Sequence, residues 1–134
     1  MATGLRGKVL VVEDDHSMRE AIETLLDAAG MDSIMFESAE ALLGGCPSAE
    51  VACVVSDLKL PGMSGLELMR ELHLRCARTP VIVITAHDSP AMRVEAERAG
   101  AAAYLAKPFL GSALLVAIKS AISGSGASTG RTTT

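Results

Sequence analysis

Five short aliphatic runs recur along the chain, and most are followed by a longer segment whose apolar residues fall three and four places apart. The runs are Lys8-Val9-Leu10-Val11-Val12, Ile34-Met35-Phe36, Val51-Ala52-Cys53-Val54-Val55, Val81-Ile82-Val83-Ile84 and Ala102 to Ala106. Runs this short and this continuously apolar fit strands buried on both faces, and the helical period between them supplies the cover. Alternation of the two predicts an α/β protein built from five strand–helix units around a doubly wound parallel sheet. At 134 residues the chain is long enough for one such domain and its core.

Local signals place the helices. Met18, Ala21, Ile22, Leu25, Leu26 and Ala29 stripe the first, and Gly30 suits its end. Ser38 is positioned to cap a helix through Leu42 and Leu43, stopped by Gly44-Gly45. After the Pro61-Gly62 turn, Ser64 and Glu67 have capping-box spacing ahead of Leu66, Leu68, Met69 and Leu72. A fourth helix spans about Ser89 to Ala99, with Met92, Val94, Ala96 and Ala99 as a thin inner face. Leu114, Ile118 and Ile122 stripe the last helix. Residues 1–122 form the expected domain, and the Ser/Gly/Thr-rich residues 123–134 read as a flexible tail or linker stub.

Composition narrows the function classes. A net charge of -4 argues against a nucleic-acid surface, which is normally basic. No apolar run approaches the length of a bilayer span and no leader opens the chain, so a soluble, cytoplasmic protein without membrane contact is expected. Cys46, Cys53 and Cys76 have neither disulfide nor zinc spacing, and Cys53 reads as a buried apolar residue. His16, His73 and His87 are too scattered for a histidine metal site. Tyr104, Phe36 and Phe109 are the only aromatic residues, too few for a stacked-base or flavin pocket.

Polar residues interrupt the runs only where strands end. Glu13, Asp14 and Asp15 follow the first, Asp57 the third, Thr85 the fourth, and Lys107 closely follows the fifth. In a doubly wound sheet of order 2-1-3-4-5, ligands bind at that carboxyl edge, between strands 1 and 3. Taken singly, the acidic cluster is an ordinary solvated loop, Asp57 a turn former, Thr85 an N-cap and Lys107 a surface cation. Together, repelling carboxylates call for a cation, and an oxygen-only set favours Mg2+. Carboxylate, metal, ammonium and hydroxyl are the equipment for accepting a phosphoryl group.

These motifs resemble the receiver domains of two-component response regulators over about residues 6–122. The matching stretches are Val11-Val12-Glu13-Asp14-Asp15, Ser56 through Gly65, Val83-Ile84-Thr85-Ala86-His87 and Tyr104-Leu105-Ala106-Lys107-Pro108-Phe109. Their wording is most similar to receivers of the nitrogen-fixation regulator type. The resemblance implies a flavodoxin-like fold and a phosphorylation-dependent switch rather than a metabolic enzyme. It implies Asp57 as the phosphoacceptor, charged by a histidine kinase or phosphotransfer protein. Mg2+ would be held by Asp14, Asp57 and the backbone carbonyl of Lys59, with Glu13 acting through water. Lys107 and Thr85 would engage the phosphoryl oxygens, with Thr85 and Tyr104 as switch residues. Lys107-Pro108 would be cis.

Departures from the family pattern are also visible. Leu60 stands where Met is common, a volume-conserving change. Leu110 and Gly111 replace the usual polar cap after Pro-Phe, so the last helix is expected to start late, capped by Ser112, or to fray. Lys59 and His87 occupy positions that tune dephosphorylation. Leu110, Leu115 and Val116 add apolar surface outside the final stripe. With helix 4 and strand 5 they suggest a face for a phosphorylation-dependent homodimer or another partner. Two alternatives stand beside this reading. A haloacid-dehalogenase-like phosphatase shares the aspartyl nucleophile, but Leu58-Lys59 lacks its general acid. A degenerate receiver acting only as a binding module is disfavoured by the complete residue set.

Overall fold

The computed structural model describes residues 7–45, 51–75 and 79–127. In chain order the elements are β1 (Lys8–Val12), α1 (His16–Ala28), β2 (Ser33–Phe36), α2 (Ala39–Gly44) and β3 (Val51–Asp57). They continue with α3 (Gly65–Arg75), β4 (Val81–Thr85), α4 (Pro90–Arg98), β5 (Ala103–Ala106) and α5 (Gly111–Ala127). All strand pairs are parallel, in the order β2-β1-β3-β4-β5. The expected doubly wound sheet is therefore present. Cys46 and Cys76 lie outside the described residues.

The continuous apolar strands follow from burial on both sides. Side chains alternate across a strand, so Val9, Val11, Cys53, Val55, Ile82 and Ile84 pack with Ile22 and Leu26 of α1 and Leu114 and Ile118 of α5. Leu10, Val12, Val54, Val81 and Val83 pack on the other face with Leu42 of α2, Leu68, Met69 and Leu72 of α3, and Ala96 of α4. Each fully buried aliphatic side chain contributes about 1.5–3 kcal/mol. Burial pushes the Cys53 thiol up to about 12. That agrees with its expected role as a small apolar residue.

The helix signals hold in detail. Ser38 Oγ accepts from Ala41 N at 3.0 Å. Ser64 and Glu67 form a reciprocal box, Glu67 N donating to Ser64 Oγ at 3.2 Å and Ser64 N to Glu67 Oε1 at 2.9 Å. Gly30 and Gly100, at φ +77° and +98°, turn the chain out of α1 and α4 in the left-handed region that glycine tolerates. The Lys107-Pro108 bond is cis.

Four expectations are corrected. Ser112 does not cap α5: the helix begins at Gly111, because the Leu110 carbonyl accepts from Ala113 and Leu114 and starts the ladder itself. Residues 123–127 are helical rather than tail, since adding a residue to an existing helix adds a hydrogen bond without a new nucleus; residues 128–134 lie outside the described part. Val94 points outward at 44% exposure, leaving Ala96 as the single buried residue of α4. Leu115 packs against the α1/α5 core, whereas Val116 and Leu110 are 63% and 75% exposed.

Gly65 has a steric role where β3 hands over to α3. A Cβ there would overlap the Asp57 carbonyl oxygen and lie 2.9 Å from Leu58 Cα, both fixed backbone. Gly65→Ala is expected to destabilise the fold by about 2–3 kcal/mol, measured by denaturant unfolding. Unchanged stability would show that this junction yields.

Candidate functional site

The parallel register sets the carboxyl ends of β1, β3 and β4 side by side. Val12 pairs with Ser56, Asp57 with Ile84, and Thr85 with Ala106. Polar side chains at these ends therefore meet. Glu13 and Asp57 are buried, Asp14 is exposed, and one carboxylate oxygen from each lies within 4.8 Å of the others. From beyond β5, Lys107 Nζ reaches Glu13 Oε1 at 2.8 Å and Asp57 Oδ2 at 2.9 Å. The sheet brings together the acids and lysine that the sequence separates by up to 94 positions.

Each group is held by its backbone surroundings. Asp57 Oδ1 accepts from Lys59 N at 3.1 Å, and Glu13 Oε2 accepts from Asp15 N at 3.1 Å. Thr85 is fully buried at the end of β4, where its Oγ1 accepts from His87 N at 2.9 Å. This bond fixes the start of the β4–α4 loop. Lys59 and His87 are both exposed. Asp15 takes another task, capping α1 through Oδ2 and Met18 N at 2.8 Å. Its place immediately before an apolar helical stripe was the available signal for that role.

Electrostatics explain why the cluster tolerates burial. Desolvation pushes the Glu13 carboxyl above its ordinary value, against the pull of Lys107 and the Asp15 N–H. For Lys107, desolvation works downward, but the hydrogen bonds it donates to Glu13 and Asp57 and their charges outweigh it, and the ammonium is held above its ordinary value. Three carboxylates facing one ammonium leave a formal excess of two negative charges. An all-oxygen set with that excess suits a hard divalent cation such as Mg2+.

Tyr104 sits apart from this cluster, beside the β4–α4 loop. Its hydroxyl donates to Asp88 Oδ1 at 3.0 Å, and Arg93 lies over its ring at 4.8 Å from the centroid. Arg93 also grips both Asp88 oxygens, at 3.1 and 3.2 Å. Neither Asp88 nor Arg93 carried a sequence signal, because their five-residue separation begins ahead of the α4 cap. The Arg93 hydrogen bond holds the Asp88 carboxyl below its ordinary value.

A five-stranded sheet of this order, with buried acids and a lysine at its carboxyl edge, defines a receiver-type signalling domain. The family model for the response regulator receiver domain matches residues 9–119, and the chain belongs to that family, a component of two-component signalling. It is 37% identical over 117 residues to the transcriptional regulatory protein FixJ of Bradyrhizobium diazoefficiens, covering 87% of this chain and 57% of the relative. To FixJ of Azorhizobium caulinodans it is 39% identical, covering 85% and 54% respectively. The chain thus spans about half the length of these relatives. Among solved structures, FixJ-N superposes with TM-score 0.81 at 36% identity, covering 89% of this chain and 95% of that one. A CheY-like receiver domain protein from Methanospirillum hungatei gives TM-score 0.84 at 26% identity, covering 91% and 98%. Among the described residues, no helix is long and apolar enough to cross a membrane.

Tyr104 offers a direct optical check, because it is the sole tyrosine and the chain has no Trp. Burial, then its bond to Asp88, raises the phenol above its ordinary 10.0. The stabilisation needs the neutral phenol: it is complete below pH 10.0 and lost as pH rises through the native value. In a spectrophotometric titration, Asp88→Asn is expected to move the phenolate midpoint back toward 10.0. An unchanged midpoint would remove Asp88 as a cause.

Proposed function

We propose that the chain is a phosphoacceptor switch that takes a phosphoryl group onto Asp57 from a histidine kinase or phosphotransfer protein. The observation that carries this reading is the placement of Asp57 between a lysine and two further acids, with Lys107 Nζ 2.9 Å from Oδ2. An Asp57 oxygen attacks phosphorus in line, the donor's P–N bond breaks, and the freed imidazole leaves with its electron pair. The Lys59 N–H orients the Asp57 carboxylate through Oδ1. Lys107 neutralises charge on the transferred group. A bound Mg2+, held by Asp14, Asp57 and the Lys59 carbonyl with Glu13 acting through water, would neutralise the remaining charge on the phosphoryl oxygens.

Thr85 then exchanges its bond with the His87 N–H for one to a phosphoryl oxygen. That exchange loosens the β4–α4 loop, to which Tyr104 is tied through Asp88. With only Ala96 buried, α4 has the fewest buried residues of the five helices and is the one best placed to shift. In this reading the domain acts in the cytoplasm as a switch and not as a metabolic enzyme, and it does not itself bind nucleic acid.

Incubation with acetyl phosphate and Mg2+, followed by intact-mass measurement, is expected to add one phosphoryl group. Asp57→Asn or chelation of the metal is expected to abolish it. A label that survives Asp57→Asn moves the acceptor elsewhere.

The surface flanking β5 is the proposed output face. Val94 on α4 and Val116 on α5 stand exposed on the helices beside this edge strand. Phosphorylation is expected to strengthen self-association there, and Val116→Glu to weaken it while leaving phosphorylation intact. Val116 is a cleaner probe than Leu115, which is part of the core packing. Sedimentation of phosphorylated and unphosphorylated protein with and without the substitution tests this; identical behaviour in all four samples rules out phosphorylation-driven homodimerisation.

A further inference from the structure

The turn between β1 and α1 carries two of the three carboxylates, and a side chain from the following helix grips its backbone. Arg19 is partly buried, and its Nη1 donates to the Glu13 carbonyl oxygen at 2.9 Å and to that of Asp14 at 3.4 Å. Its Nη2 lies 3.2 Å from His16 Nδ1, and His16 Nε2 lies 3.2 Å from Glu20 Oε2. A guanidinium can only donate, so Nδ1 accepts and the ring proton is assigned to Nε2, facing Glu20. Glu20 and His16 thus steady the guanidinium from its outer side.

The start of α1 does not need this contact. Asp15 already caps it through Met18 N, and Arg19's own amide bonds to the Asp15 carbonyl at 2.9 Å. What the guanidinium satisfies instead are the carbonyls of two residues that precede the helix, the same two whose side chains meet Asp57. A fixed cation beside a cation site is also the wrong choice if affinity were served by charge alone. The fork geometry, rather than the charge, is what distinguishes this contact.

We propose that Arg19 is a positioning residue for the divalent-metal site, fixing the peptide planes of Glu13 and Asp14 so that their carboxylates converge on Asp57. The proposal rests on the reading of that cluster as a Mg2+ site. Charge and positioning predict opposite signs, which makes the test decisive. Mg2+ alone is titrated into the full chain and into two variants while backbone amide shifts near Asp14, Asp57 and Lys59 are followed. Thermal unfolding without metal is measured alongside.

Arg19→Met is expected to weaken Mg2+ binding about three- to tenfold, the loss of roughly one net hydrogen bond. Arg19→Lys keeps the charge and most of the stem but not the fork, and is expected to weaken it in the same direction by less. It carries the test should Arg19→Met fail to fold. Affinity that is unchanged in Arg19→Lys, or that rises in Arg19→Met, overturns the proposal, because that is the outcome for a residue acting only as a charge. Failure of the unaltered chain to bind Mg2+ overturns the metal reading itself, and the proposal with it.

Discussion

The Lys107 ammonium joins two strand ends that would otherwise repel each other. Glu13 follows β1 and Asp57 ends β3, and the register that buries Val11 beside Val55 also forces these two carboxylates together. Without a cation between them, burial of both as anions would be strongly unfavourable. Lys107 arrives from the far side of β4 because its amide bonds to the Thr85 carbonyl at 2.7 Å, continuing the β4–β5 pairing beyond the last strand residue. The sheet and the charge cluster are therefore one construction. Hydrophobic burial aligns the strands, and the lysine makes the resulting proximity of acids tolerable.

That construction separates rigid from movable parts. Glu13 and Asp57 stand at the ends of β1 and β3, whose side chains are buried on both faces, so they have little freedom to rearrange. The elements beside them are held mainly by polar contacts. The β4–α4 loop is fixed by Thr85 at its start and by the Asp88, Arg93 and Tyr104 contacts farther on. The β3–α3 loop is tied to α2 where Glu40 Oε2 accepts from Met63 N at 2.8 Å. Polar contacts near water are worth little each, so these loops are held less firmly than the doubly covered core.

Much of this was legible in the residues. Strand positions and the Ser38, Ser64 and Ser89 starts follow from patterns that burial and capping impose locally, whereas the meeting of Glu13, Asp14, Asp57 and Lys107 follows from the doubly wound order 2-1-3-4-5. The misreadings share a cause. Apolar character alone does not place Val94 or Leu115, because α4 has few large apolar residues among its four charges and α5 is aliphatic nearly all round, so neither period marks one face. Ser112 was assigned a cap from its side chain, yet the Leu110 carbonyl was sufficient to begin the helix. Composition also cut α5 short, because Ser and Gly signal loops only when no helix is already propagating.

The division between sequence and tertiary structure follows the range of the forces involved. Apolar alternation, caps and turn glycines act over a few residues, so the chain alone determined its element order, its doubly covered sheet and the edge at which charge collects. Contacts across elements depend on orientation set only when helices dock on the sheet. The grip of Glu40 on the Met63 amide and of Asp88 on Tyr104 belongs to that second kind. The Arg19 fork lies close in sequence to the carbonyls it bonds, but its reach back past the helix start depends on how α1 leaves β1. A side chain's identity shows what it can donate or accept; the packing of the elements that carry it decides which partner comes within 3 Å.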